Sequence, residues 1–386
     1  MPGLVWLWGG FLLESCLFAS VPPLLPHYVA AFALTAPTAA ALTGAYPVGL
    51  VAGALASHRL ARTVNTRTVV IVGLVLIAVS TAGVGLATSA TGLVAARACQ
   101  GAACGCIWAG GLGWLTAATD PMHRGRVLGS AYSAGALGTI AGPALAALAI
   151  ATDMRAVFLG AGAACLTVAL LVLARTRPAG GHPRARLLAP YRAPSLRRPV
   201  VLLALQAVPL GLITVVAPLH LARLGASSGA VVGVLFVAAG VAAMVSPIAG
   251  TVHDRHGPLA AMRAGFVMAA PCLAALAVIS SLTAGALLTI AFVGVIFRLG
   301  FVPVVAMLTH EADRAGVAHA AAPAILLTIA AGESVGAATG GAVAVGWSDT
   351  GALLVVAGLY LAGAAGLRPS KETLSRPQPG AGTART

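Results

Sequence analysis

Long apolar stretches, bounded by charged residues or by clusters of Gly and Pro, account for most of the chain. Twelve can be delimited, at about 4–26, 37–57, 68–90, 92–118, 127–150, 156–174, 199–222, 229–252, 264–284, 285–309, 318–346 and 350–367. A bilayer asks for roughly 20 consecutive apolar residues in each spanning helix. The pattern therefore predicts an all-α membrane protein of twelve transmembrane helices joined by short connections, and its 386 residues leave no room for a large soluble domain. The longest interruption, Arg175 to Arg198, is rich in Pro and Arg and falls between the sixth and seventh stretches. It divides the chain into a six-helix bundle over 1–174, a basic linker over 175–198 and a second six-helix bundle over 199–367. Residues 368–386 are polar and lack apolar periodicity, which predicts a disordered tail. The first stretch has no basic segment ahead of it and is interrupted by Glu14, so it reads as a retained helix, not a cleaved secretory signal.

Composition agrees. Hydrophobic residues make up 59% of the chain and charged residues 8%, against about a quarter charged in a soluble globular domain. A formal net charge of +14 would point to nucleic acid in a soluble protein, but here the placement of the charge explains it. Of the 23 Lys and Arg, Arg155 and Arg223 lie in loops on one side and Arg97 and Arg298 within spans; all the others fall in loops of the opposite side or in the tail. Basic residues in short loops mark the cytoplasmic side. Both termini are thus expected to be cytoplasmic, in a multi-pass protein of the cell membrane, plasma or inner, with no nucleic-acid partner. The linker arginines read as a topology determinant lying against anionic headgroups. The six cysteines, Cys16, Cys99, Cys104, Cys106, Cys165 and Cys272, all fall inside apolar stretches, where they act as small hydrophobes, and no structural disulfide is expected. Cys99, Cys104 and Cys106 are spaced by five and two, offsets that do not bring three thiols to one helical face, so no metal site is expected.

The two halves repeat. Gly53-Ala-Leu-Ala-Ser57-His58 aligns with Gly250-Thr-Val-His-Asp254-Arg255 at an offset of 197, and Gly138-xxx-Gly142 aligns with Gly336-xxx-Gly340 at 198. Gly250-xxx-Asp254-Arg255-x-Gly257 resembles the loop signature of the major facilitator superfamily. In the first copy Ser57 stands where the family has Asp and Leu60 where it has Gly, while Arg59 keeps a positive charge. Arg97-Ala-Cys-Gln100-Gly101-Ala-Ala-Cys-Gly105 is similar to the family's Arg-x-x-Gln-Gly-x-x-x-Gly pattern, which is associated with proton coupling. Gly138-Thr-Ile-Ala-Gly142-Pro143, preceded by Arg124-Gly125-Arg126, resembles the antiporter signature of twelve-helix drug:proton exporters, with Ala146-Ala147 in place of the closing glycine pair. The resemblance implies two pseudo-symmetric six-helix bundles that rock about a central cavity. It also implies proton-coupled export of a small amphipathic compound, and a monomer is expected.

Four ionisable groups, Glu14, Arg97, Arg298 and Glu333, fall within the predicted hydrocarbon, where each costs about 2.5–3.5 kcal/mol on insertion scales. Each must face protein or water, in a transport site or a structural ion pair. Glu14, near the middle of the first span, is the leading proton carrier: desolvation favours the neutral acid, whereas a cationic substrate favours the carboxylate, so proton and substrate compete for one group. Glu333 shares a helical face with Gly336 and Gly340 and points into the bundle, either as a second proton or substrate site or as a partner of Arg298. Arg97 shares a face with Gln100 and, being permanently charged, has to be paired or hydrated; the resemblance ties it to the proton step. Arg298 offers a second fixed charge, and Trp108 and Gln206 are candidates to line the cavity.

Asp254 and Arg255, with Gly250, Gly257 and Arg59, are candidates for a conformational latch at a helix end. The second half should carry it, because Ser57 replaces the acid in the first. Gly142-Pro143 removes a backbone donor inside the fifth helix and should bend it, beside the tightly packing Gly138; the motif either seals the bundle interface or is an ordinary kink. No nucleotide-binding loop, catalytic triad, metal cluster or paired-acid arrangement can be assembled, so no cofactor, metal or enzymatic activity is expected. The expected partners are the lipid bilayer, protons and a small molecule. Antiport leads; a nutrient-importing proton symporter stays open through Ala146-Ala147. A non-transporting receptor or scaffold is the reading of another class, against which the four buried charges weigh.

Overall fold

A computed structural model describes residues 5–60, 63–119, 123–176, 189–317, 321–346 and 349–367. The expected tail from 368 and the middle of the linker, 177–188, lie outside the described residues. The membrane-length helices are α1 (Val5–Phe32), α2 (Ala36–Leu60), α3 (Thr66–Leu86), α4 (Ala90–Ala118), α5 (Arg124–Ala151), α6 (Met154–Arg175), α7 (Arg197–Arg223), α8 (Ser228–His256) and α9 (Pro258–Val278). They continue with α10 (Leu282–Arg314), which contains a π-helical segment at Ala291–Ile296, then α11 (Ala321–Gly346) and α12 (Asp349–Gly366). Among the described residues, nine helices are long and apolar enough to cross a bilayer on length and composition alone, and α4 carries Arg97 and Gln100 inside its span. All twelve coincide with the apolar stretches of the sequence. A short helical turn, Ala189–Arg192, precedes α7.

Several boundaries depart from expectation by up to six residues, among them the end of α1 and both ends of α9. α1 runs through Pro22, Pro23 and Pro26 to Phe32 instead of stopping near 26; the carbonyl that Pro22 leaves without its backbone donor finds another partner, described below. α9 begins at Pro258, six residues before the expected start, and includes Arg263. Gly257 ends α8 at φ +79°, a conformation glycine adopts without Cβ strain, and Pro258 takes the first position of α9, where its missing N–H is not needed. The starts of α3, α4 and α6 are set by side-chain caps: Asn65 accepts from Thr68 N, Ser89 from Gly92 N, and Asp153 from Arg155 N and Ala156 N.

The helices pair by one rule in both halves. α1 packs on α5, α2 on α4 and α3 on α6; α7 packs on α11, α8 on α10 and α9 on α12. The pattern recurs with a displacement of six helices, so the molecule is two pseudo-symmetric six-helix bundles. They meet along two seams related by the same displacement, α2 with α11 and α5 with α8. One core is built around Phe11, Tyr28, Trp114 and Phe158 and admits Val215, Val232, Ala330 and Ala337 across the seams; the other is built around Phe266, Phe292 and Tyr360. Lipid tails are as apolar as the side chains, so helix association in a membrane depends on close packing of small residues. The α2–α4 pair shows this: a Cβ at Gly101 would overlap Tyr46 O, and one at Gly53 would overlap Ala102 O.

Candidate functional site

Glu14 lies on the buried stripe of α1 formed by Leu7, Phe11, Leu17, Val21 and Leu24, spaced by three and four residues, and is 2% exposed. Its carboxylate is held by uncharged donors from three positions. Tyr46 Oη of α2 donates to Oε1. Trp108 Nε1 of α4 donates to Oε2 at 2.6 Å, and Ser15 Oγ to the same oxygen at 3.3 Å. The indole is fixed by Phe11, at 4.5 Å between ring centroids, and by stacking on Tyr132 of α5 at 5.5 Å. No ion pair reaches Glu14 among the described residues. Trp108 therefore serves the acid.

Arg97 is 1% exposed. Its Nη1 donates to Gln100 Oε1 at 2.9 Å and to Leu17 O at 3.5 Å, and its Nη2 donates to Phe18 O at 3.3 Å. Phe18 O is the carbonyl that an N–H at position 22 would ordinarily satisfy, and Pro22 has none, so the proline opens a receptor for the arginine. Gln100 Nε2 in turn donates to Thr81 Oγ1 of α3 at 3.0 Å. The guanidinium lies over the Tyr46 ring, 4.5 Å from its centroid. Its Nε is buried without a hydrogen-bond partner.

Arg97 and Glu333 line, from opposite bundles, a cavity of about 20 Å³ with Phe18, Pro22, Thr43 and Thr214. That is space for roughly one water. Glu333 reaches this place because α11 rides directly on α7: a Cβ at Gly211 would overlap the Glu333 backbone, and one at Gly336 would overlap Val208 O. Along the same α2–α11 seam, an apolar groove of about 800 Å³ is lined by Ala41, Ala45 and Val48 of α2, Ala98 of α4 and Ala338 of α11.

Other expected residues are placed elsewhere. Arg298 does not pair with Glu333; its guanidinium lies 5.7 Å from the Phe297 ring and 6.0 Å from that of Phe301, and its Nε is buried without a partner. Gln206 is 1% exposed within the second core, where it packs against Gly300 of α10 and accepts from Tyr360 Oη at 3.2 Å. It joins α7, α10 and α12 and is not part of the cavity wall. Asp254 and Arg255 are exposed at the end of α8, Gly250 faces open space and Arg59 is exposed at the end of α2. No contact latches Asp254 or Arg255 to another helix among the described residues. Gly138 and Gly142 set α5 against α1, where Cβ atoms would meet Leu12 O and Cys16 O; Pro143 follows inside the continuous helix. The cysteines are free, with Cys99 exposed and Cys104 and Cys106 buried, and no group of metal-ligating residues forms among the described residues. Tyr46 and Thr81 were not singled out from the sequence. Polar side chains of this kind are cheap enough in a membrane helix to carry no signal by themselves.

The sequence model of the Major Facilitator Superfamily matches residues 7–325. No curated protein sequence matches the chain significantly. Among solved structures, a bacterial homolog of the human lysosomal transporter Spinster, in an inward-facing and occupied conformation, superposes with a TM-score of 0.77 at 16% identity, covering 94% of this chain and 95% of that one. The nucleoside transporter NupG gives 0.75 at 12% identity, covering 95% and 98%, and a D-xylose-proton symporter gives 0.74 at 14%, covering 95% and 96%. At these identities the structures speak to the fold alone. With the family match spanning most of its length and twelve paired helices in two related bundles, the chain belongs to the Major Facilitator Superfamily of membrane transporters.

Proposed function

We propose that this protein is a proton-coupled antiporter that exports a small amphipathic organic compound by alternating access, with Glu14 as the proton carrier. The observation that supports this best is the environment of Glu14. The acid is buried, yet three uncharged donors hold it and no cation neutralises it. A buried carboxyl held by neutral donors, with no fixed counter-charge on it, is a group that a proton or a cationic substrate can occupy in turn. The apolar groove of about 800 Å³ at the α2–α11 seam suits the apolar body of such a compound.

In this reading the division into bundles over 1–174 and 199–367, joined by the linker at 175–198, defines the two moving bodies, and the functional unit is a monomer. The face bearing the basic loops is cytoplasmic, in a cell membrane. Arg298 serves as a second polar anchor in the second bundle. Asp254, Arg255, Gly250, Gly257 and Arg59 act as a latch that biases the outward-facing state.

The test is substrate-driven proton movement in sealed proteoliposomes against a panel of lipophilic organic cations. The wild type should move protons opposite to the compound, and Glu14→Gln should abolish the proton movement and the pH dependence of flux. Unchanged pH dependence in the variant would remove Glu14 from the proton step. Movement of both species in the same direction would replace antiport by symport.

A further inference from the structure

We propose that Tyr46 is a positioning residue that joins the two charges of the first bundle, its hydroxyl holding the Glu14 carboxylate while its ring carries the Arg97 guanidinium. This rests on the reading of Glu14 as proton carrier and adds the route by which Arg97 responds to it. Tyr46 is 3% exposed. Its hydroxyl donates to Glu14 Oε1, its ring centroid lies 4.5 Å from the guanidinium carbon of Arg97, and the Phe18 ring flanks it at 4.8 Å. Its backbone is fixed as well, because Tyr46 O rests against Gly101, one helical turn beyond Arg97 on α4. Carboxylate and guanidinium form no ion pair, so the contact between them runs through the phenol.

An ionised Glu14 accepts a charge-assisted bond, which pins the ring beneath Arg97. When Glu14 takes a proton from the aqueous side, the proton stays on one carboxyl oxygen, the acceptor becomes neutral, and the bond to Tyr46 loses about half its strength. The ring is then free to turn, and Arg97 keeps only Gln100 and the two α1 carbonyls. Because Arg97 also lines the cavity that Glu333 enters from the second bundle, its release changes the charge presented at the seam. The other titratable groups facing this cluster are Tyr28 and Cys16 of α1, Cys104 of α4, Cys165 of α6 and Glu333 of α11. Thiols and phenols ordinarily titrate above about pH 8.

Two measurements on purified, detergent-solubilised full-length protein test this without a substrate. In pH-difference infrared spectra, a protonated-carboxyl band that disappears in Glu14→Gln belongs to Glu14. Tyr46→Phe, which removes a single oxygen, should move that band to higher frequency, since the carboxyl loses a hydrogen-bond donor. Modification of Arg97 by an arginine-directed dicarbonyl at pH 8, read by mass spectrometry, should be several-fold faster in Tyr46→Leu and in Glu14→Gln than in the wild type. Tyr46→Phe, which retains the ring, should restore part of the protection. If no band depends on Glu14, the proton-carrier reading fails. If the band depends on Glu14 but its frequency is the same in Tyr46→Phe, or if Arg97 reacts equally in the wild type, Tyr46→Leu and Glu14→Gln, the positioning role is overturned while that reading stands.

Discussion

Arg97 is bonded to Gln100, Leu17 O and Phe18 O and stacked on Tyr46. Replacing it by Gln would leave Phe18 O, already deprived of a backbone donor by Pro22, buried without a partner. The expected loss is about 2–4 kcal/mol, seen as a fall of several degrees in thermal unfolding in detergent. Arg97→Lys should recover only part of it, since an ammonium cannot reproduce the planar fork; a lysine variant as stable as the wild type would show that the fork geometry is unimportant. Glu14, Arg97 and Gln100 were legible in the sequence because charge and amide groups stand out in hydrocarbon. Their partners were not. A tyrosine or threonine in a span is unexceptional, and a proline that frees a carbonyl for another helix is seen only once the two helices are placed together.

Helix pairs in this protein are set by where glycines allow backbones to touch. α2 and α4 approach through Gly49, Gly53, Gly101 and Gly105, and even a single methyl at Gly101 would strike Tyr46 O. Gly101→Ala should therefore destabilise by about 1–3 kcal/mol through overpacking, whereas Gly233→Ala in α8, whose Cβ would meet nothing within 4 Å, should be neutral or stabilise slightly through helix propensity. Equal effects of the two substitutions on detergent melting curves would refute close packing at α2–α4. The existence of each helix was legible from its apolar run, but its ends were legible only where a cap or charge marked them. The start of α9 is marked by Gly257 and Pro258, whereas the charge of Arg263, which breaks the apolar run, lies inside the helix. The π-helical segment of α10 leaves no trace in an unbroken apolar run.

The two bundles touch along α2–α11 and α5–α8, and a transporter that alternates access has to part such seams in turn. At the first seam a Cβ on Gly44 would stand 3.2 Å from that of Ala337, close to the separation across a disulfide. Gly44→Cys with Ala337→Cys, in a Cys99→Ser background, should therefore cross-link on oxidation and stop flux in proteoliposomes, with recovery on reduction. Continued flux in the fully cross-linked protein would mean that this seam stays closed throughout the cycle.

The sequence by itself determined the number of spans, the duplication of the bundle and the polar groups that could not face lipid, because a hydrocarbon slab imposes a length on every helix and a penalty on every charge. Only the tertiary structure decided that Glu14 is held by Tyr46 and Trp108, that Arg97 answers a carbonyl opened by Pro22, that Arg298 and Glu333 stay apart, and that Gln206 belongs to the second core. Those outcomes depend on which helix faces meet and how closely. Inside a membrane that is settled by shape and small-residue contact, which leave no periodic imprint along the chain.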